Sequence, residues 1–184
     1  VAIPTFSVGQ RLTVSLITDS IVAYIPTTPV IKGTATNRNS GGTGTTLTND
    51  PELLGISLGV GTWSVYLQGF WTQTTTTTQK IKTRWAFTGT WNSPPRACYG
   101  AGFTQTAGPS AATESTWSAY TSDGQDAIYD QAAGGTFGVF IEESSNVVVT
   151  AAGTLSLQWA QQTASANNTS LQPGSAFTIR KISA

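Results

Sequence analysis

Residues 153–182 read GTLSLQWAQQTASANNTSLQPGSAFTIRKI. Leu155, Leu157 and Trp159 alternate with Ser156, Gln158 and Ala160, the period of a strand with one face in a core. A run of Gln, Thr, Ser and Asn follows, too rich in turn formers to extend that strand. Pro173 and Gly174 then set a tight turn. Phe177 and Ile179 reopen a period-2 pattern that ends at Arg180 and Lys181. A strand, a long polar connection and a closing strand predict two β-elements that finish a sandwich. The preceding residues must supply the sheets they join.

The strongest of those preceding strands is 63–71, where Trp63, Val65, Leu67, Gly69 and Trp71 form one face. Tyr66 and Phe70 make the other face partly apolar. That face is either covered by another subunit or an arm, or it carries the exposed aromatics common on β-surfaces. A five-threonine run at 74–78 reads as a hairpin tip or an extended edge. Ile81, Thr83, Trp85 and Phe87 alternate again, which predicts a long antiparallel pair of 63–71 with 81–87. Further strands are expected at 30–36, 97–105, 117–120, 137–141 and 147–149, with a flexible loop at 37–44 and a hairpin at 142–146. About eight strands without a convincing helix fit a two-sheet sandwich. Trp91 lies among Gly, Asn, Ser and Pro, either as a lid on the core or as an exposed contact residue.

Before residue 30 the pattern changes. Leu12, Leu16, Ile17 and Ile21 fall near helical spacing while Thr13 and Val14 suit a strand, so 11–20 reads as a short helix or an arm on a neighbour. Pro26 and Pro29 mark a joint. The expected division is an arm at 1–29 and a β-sandwich domain at 30–184. The opening VAIPTFSVGQ has neither a charged n-region nor an apolar h-region, so no secretory signal is read there.

Bulk numbers narrow the function classes. The chain has 184 residues, enough for one domain with a sizeable core. Nine basic residues balance nine acidic ones, which argues against a nucleic-acid footprint. Threonine is about one residue in six, and with the aromatics it favours pleated structure. No apolar run is long enough to insert in a membrane. The single cysteine, Cys98, excludes an internal disulfide and is read as a small buried hydrophobe.

Histidine is absent, so neither a Ser-His nor a Cys-His nucleophile pair can be built. The lysines Lys32, Lys80, Lys82 and Lys181 stand in polar or terminal contexts and are expected to be solvated. Paired carboxylates would suffice for glycoside hydrolysis. Glu142 and Glu143 are adjacent, however, and point to opposite faces of a strand. Asp123, Asp126 and Asp130 offer hard oxygen for calcium, but their spacing does not match an EF-hand loop, and turn formation explains them. Trp85 beside Arg84 and Lys82 is the nearest approach to a base-stacking site. No phosphate-binding loop occurs, and no cofactor is expected.

The segments Gly153-Thr-Leu-Ser-Leu-Gln-Trp-Ala-Gln-Gln-Thr, Asn167-Asn-Thr, Pro173-Gly-Ser and Phe177-Thr-Ile-Arg resemble a module that ends many tailed-bacteriophage virion proteins, notably of actinobacterial phages. The opening Pro4-Thr-Phe-Ser-Val-Gly-Gln-Arg-Leu-Thr is similar to the start of phage tail-fibre and minor tail proteins. The resemblance covers both ends, about a quarter of the chain, and implies a jelly roll of the tumour-necrosis-factor/C1q type assembled as a homotrimer. It makes Tyr66, Phe70 and Trp71 candidate trimer contacts, and Phe6, Arg11, Leu12 and Leu16 candidates for attachment through the arm. Three functions follow as expectations. The first is a non-enzymatic component of the particle exterior, in tail, fibre or capsid decoration, with other virion proteins and a host-surface glycan as partners. The second is a carbohydrate-binding module stacking sugars on Trp91, Trp117 and Tyr120. The third is a polysaccharide-cleaving enzyme working with Asp123, Asp126 and Asp130.

Overall fold

The computed structural model describes residues 29–39, 41, 44–73, 80–92, 95–100, 104–105, 118–119, 126–129 and 139–183. Fifteen strands and no helix occur among them: β1 (Val30–Ile31), β2 (Thr36–Arg38), β3 (Thr48–Asn49), β4 (Ile56–Leu58), β5 (Gly61–Gln73), β6 (Ile81–Phe87), β7 (Thr90–Trp91), β8 (Ala97–Gly100), β9 (Thr104–Gln105), β10 (Ser118–Ala119), β11 (Ala127–Tyr129), β12 (Val139–Ala151), β13 (Gly153–Gln161), β14 (Thr169–Leu171) and β15 (Ala176–Ser183). They form two antiparallel sheets packed as a jelly-roll-like sandwich. The nine-stranded sheet runs β1-β15-β5-β12-β8-β10, with β14 beside β5, β2 beside β14 and β7 beside β12. The six-stranded sheet runs β3-β13-β6-β11-β9, with β4 beside β13.

The alternation read in the sequence selects the core face of each long strand. In β5, positions 65, 67, 69, 71 and 73 are buried while 64, 66, 68, 70 and 72 are half-buried on the outside. Val65, Leu67, Trp71, Ile141, Val147, Phe177 and Ile179 meet Ile81, Trp85, Leu155, Leu157 and Trp159 from the opposite sheet. Two edge-to-face aromatic pairs cross the sandwich. Trp71 meets Trp159 at 4.7 Å and Trp85 meets Phe177 at 5.7 Å. Such a pair adds about 0.5–1.5 kcal/mol to the burial of its area.

Strand pairing departs from the sequence reading. β5 and β6 do not pair with each other; they lie in different sheets. β5 runs between β12 and β15, with Val139 opposite Trp71 and Val149 opposite Gly61. β6 runs between β13 and β11. A period of two says which face a strand buries, but nothing about which neighbour accepts its hydrogen bonds. The expected hairpin at 142–146 is also absent, because β12 continues unbroken from Val139 to Ala151. Its turn-like composition has another origin: Glu142 and Ser144 lie on the outer face, while Glu143 and Ser145 point inward and find polar partners.

Two shorter strands occupy predicted loops. Thr36–Arg38 pairs with Thr169–Leu171, so the Asn37–Arg38 end of the 37–44 loop and the middle of the polar connection both belong to the sheet. Gln161, fully buried, explains the second. Its Nε2 donates to Arg38 O at 3.2 Å, Asn167 O at 2.8 Å and Thr169 Oγ1 at 3.1 Å, holding the polar run against the sheet. The chain crosses from β12 to β13 at Ala152, where Gly153 lies against Gly89. A Cβ on Gly153 would fall on the Gly89 backbone, so the corner admits no side chain.

Candidate functional site: an outer aromatic face above buried ion pairs

The outer face of the nine-stranded sheet gathers half-buried aromatics from adjacent strands. Phe70 on β5 stands opposite Phe140 on β12, with ring centroids 5.3 Å apart. One step along, Tyr66 donates its hydroxyl proton to Glu142 Oε1 at 2.5 Å. Burial, reinforced by that carboxylate, pushes the Tyr66 hydroxyl up to about 12. Thr178 lies opposite Tyr66 on β15, and Arg180 stands exposed opposite Ser64. The face therefore presents a row of rings with one acid on β12 and one base on β15.

Trp71 does not belong to this face. It is fully buried against Trp159, because position 71 shares the inward parity of Val65 and Leu67. Of the three expected trimer contacts only Tyr66 and Phe70 are accessible to a partner, and the alternation of β5 already separated them from Trp71. Trp91 stacks on Phe87 at 4.7 Å with the rings 20° apart, and both pack against the core. That is the lid geometry. Trp117 and Tyr120 lie outside the described residues, as do Phe6, Arg11, Leu12 and Leu16, and Asp123 and Asp130. Asp126 is mostly buried and bound to Arg84, Oδ1 to Nη2 at 2.6 Å and to Nε at 2.8 Å. Trp85 is buried, so the base-stacking candidate faces the core.

Beneath the outer face lies a polar cluster that sequence reading missed. Glu143, on β12, is fully buried between the sheets. Its Oε1 accepts Tyr129 OH at 2.8 Å and the Thr83 hydroxyl, both from the six-stranded sheet. Its Oε2 accepts no hydrogen bond and faces Arg96 Nη1 at 3.4 Å. The Arg96 guanidinium also stands 5.5 Å from the Trp85 ring centroid. Burial, helped by the Glu143 charge, lifts the Tyr129 hydroxyl well above its ordinary 10.

Cys98 shares this cluster and is the small buried residue expected. Its thiol is pushed up to about 12, first by burial and then by Glu143. The thiolate is the reactive form, so the folded protein should leave Cys98 unlabelled by iodoacetamide at pH 8, with full labelling in guanidinium. Mass spectrometry reads both; rapid native labelling would place the thiol at the surface.

A second cluster contradicts the expectation that the lysines are solvated. Lys32 is fully buried, with Nζ 3.0 Å from Asp50 Oδ1, 3.3 Å from Glu52 Oε1 and 2.7 Å from Thr36 Oγ1. The bend at 50–53 supplies the reason: Asp50 caps it, accepting the Glu52 and Leu53 N–H groups, and so aims its carboxylate inward. Glu52 accepts the Thr34 hydroxyl and the Gly33 N–H, which hold its carboxyl down at about 2. Arg38 lies 4.2 Å above the Trp159 ring and donates to the carbonyls of Trp159, Thr48 and Asn49. Burial lowers it to about 10.

Each of the five described acids (Asp50, Glu52, Asp126, Glu142 and Glu143) is thus engaged by a protein donor. Among the described residues no group of three or more His, Cys, Asp or Glu is placed to hold a metal. No family model, curated protein or solved structure matches the chain.

Proposed function

We propose that the chain is a non-enzymatic structural component of a tailed-bacteriophage particle, in the tail, a fibre or the capsid decoration, and that it works by assembling with copies of itself into a homotrimer. The observation that carries the reading is the outward row Tyr66, Phe70 and Phe140, flanked by Glu142 on one strand and Arg180 on another. Identical copies repel when a contact face carries one sign of charge. This one carries both, so a rotated copy sets Glu142 against its neighbour's Arg180. Aromatic residues supply anchoring energy at such contacts. The engagement of the described acids in internal bonds favours scaffolding over hydrolysis, and the phage-like segments at both ends of the sequence supply the particle context. Uncharged Thr, Ser and Gln around the rings make contacts less sensitive to salt than ion pairs would be.

The test is solution mass. The wild-type chain is expected to sediment as a trimer, and Phe70→Glu with Phe140→Glu to sediment as a monomer with the same β-sheet circular dichroism. Loss of one anchoring ring costs about 2 kcal/mol or more per contact. A wild-type monomer at every concentration overturns the assembly reading. Retention on a glycan array by that monomer would move the function to carbohydrate binding.

A further inference from the structure

Lys32 follows β1 on one sheet and Asp50 follows β3 on the other. Between them the two residues place an amine and a carboxyl carbon in one dry site. Neither side chain has any exposed surface, and Nζ sits 3.0 Å from Asp50 Oδ1. The carboxyl group cannot turn away. Oδ1 accepts the N–H of Glu52 at 3.0 Å and of Leu53 at 3.1 Å, while Oδ2 accepts Trp159 Nε1 at 3.2 Å. Leu53 and Trp159 are themselves fully buried. A second carboxylate, Glu52, reaches the same nitrogen at 3.3 Å from a position 29% exposed.

We propose that Lys32 and Asp50 condense into an intramolecular isopeptide bond, with Glu52 carrying the protons. Glu52 Oε1 takes one proton from the Lys32 ammonium and passes it to Asp50 Oδ2, and the free amine attacks Cγ of the now neutral carboxyl group. Charge developing on Oδ1 falls on the Glu52 and Leu53 N–H groups, which already point at it. Glu52 then takes the second proton from the attacking nitrogen and hands it to the Oδ2 hydroxyl, which departs as water while Oδ1 closes the amide carbonyl. Overall the ammonium loses two protons, the carboxylate loses one oxygen, and together they leave as water. No oxidant or other reactant is needed. Because the Thr34 hydroxyl and the Gly33 N–H keep Glu52 ionised, it is a base that holds a proton only briefly.

Two physical terms favour the bond here over the same groups in water. Holding amine and acyl carbon together is equivalent to an effective concentration on the order of 10⁵–10⁸ M in well-oriented cases. A buried ion pair also carries a desolvation penalty that a neutral amide does not. The bond would join the two sheets across a separation of 18 residues, the kind of loop closure through which covalent cross-links restrict the unfolded chain.

The experiment uses the full wild-type chain, unfolded in guanidinium, with intact-mass and tryptic analysis. The expected mass is that of the sequence less one water, with no cleavage after Lys32 and a branched peptide joining Lys32 to Asp50. Lys32→Arg should restore the full mass. Glu52→Gln, at its partly exposed position, should leave a slowly closing mixture of bonded and open chains. A wild-type chain of full sequence mass that is cleaved after Lys32 overturns the proposal. A branch at Glu52 in place of Asp50 overturns the assignment of the acyl donor.

Discussion

Glu143→Leu is expected to lower the unfolding free energy by about 3–5 kcal/mol, the cost of breaking a buried ion pair from one side. The carboxylate faces Arg96 at 3.4 Å in a layer where Glu143 is fully buried and Arg96 only 6% exposed. Leucine fills much of the volume, so little of the loss is cavity. It leaves the Arg96 charge without its acid and takes away the acceptor of the Tyr129 and Thr83 hydroxyls. Arg96→Met should cost a similar amount from the other side, since it strands the carboxylate.

The informative variant is the double one. Glu143→Leu with Arg96→Met removes both charges and should recover most of the loss, because apolar replacement of a complete buried pair is often neutral or stabilising. Recovery should fall short by about 1–3 kcal/mol for the hydroxyls that lose Glu143 as their acceptor. Urea midpoints of the four proteins, at constant slope, supply the cycle. Costs that simply add would mean that Glu143 and Arg96 act independently.

That cluster also marks where the sequence stops being legible. Val65, Leu67, Leu155, Leu157, Phe177 and Ile179 were readable as core because strand periodicity is local: each side chain's face follows from its neighbours two residues away. The ends of β6 were legible for the same reason. Glu143 was not, since its partners Thr83, Arg96 and Tyr129 come from three separate segments. A buried acid and a solvated one look alike until the opposite sheet is in place. The reading did contain half of the answer, because adjacent Glu142 and Glu143 had to face opposite ways. One of them duly binds Tyr66 on the outer face and the other Tyr129 in the core. Lys32 failed for a related reason. Its neighbours Ile31 and Gly33 do not show what surrounds it, because the residue that receives it is Asp50, delivered by a turn 18 positions away. For the outer face, Tyr66 and Phe70 were legible from parity, while Phe140 and Arg180 entered only with the pairing of β12 and β15 to β5.

Trp159 joins several of these features, and its removal has the second large expected effect. The side chain is fully buried. One edge packs on Trp71 at 4.7 Å, one face carries the Arg38 guanidinium at 4.2 Å, and Nε1 donates to Asp50 Oδ2 at 3.2 Å. Trp159→Ala should cost about 3–5 kcal/mol through lost burial and the cavity between the sheets. Trp159→Phe separates the contributions. It keeps a ring against Trp71 and beneath Arg38 but removes the donor to Asp50, a hydrogen bond worth about 1.5–3 kcal/mol while Asp50 is a carboxylate and about 0.5–1.5 kcal/mol to a neutral acceptor. Denaturant titrations of the two variants should therefore differ by more than one kcal/mol in phenylalanine's favour, by the same bookkeeping. Equal losses would mean that the indole N–H, and with it the positioning of Asp50 against Lys32, accounts for the whole effect. A small loss in both would place Trp159 outside the core that the alternation of β13 assigns to it.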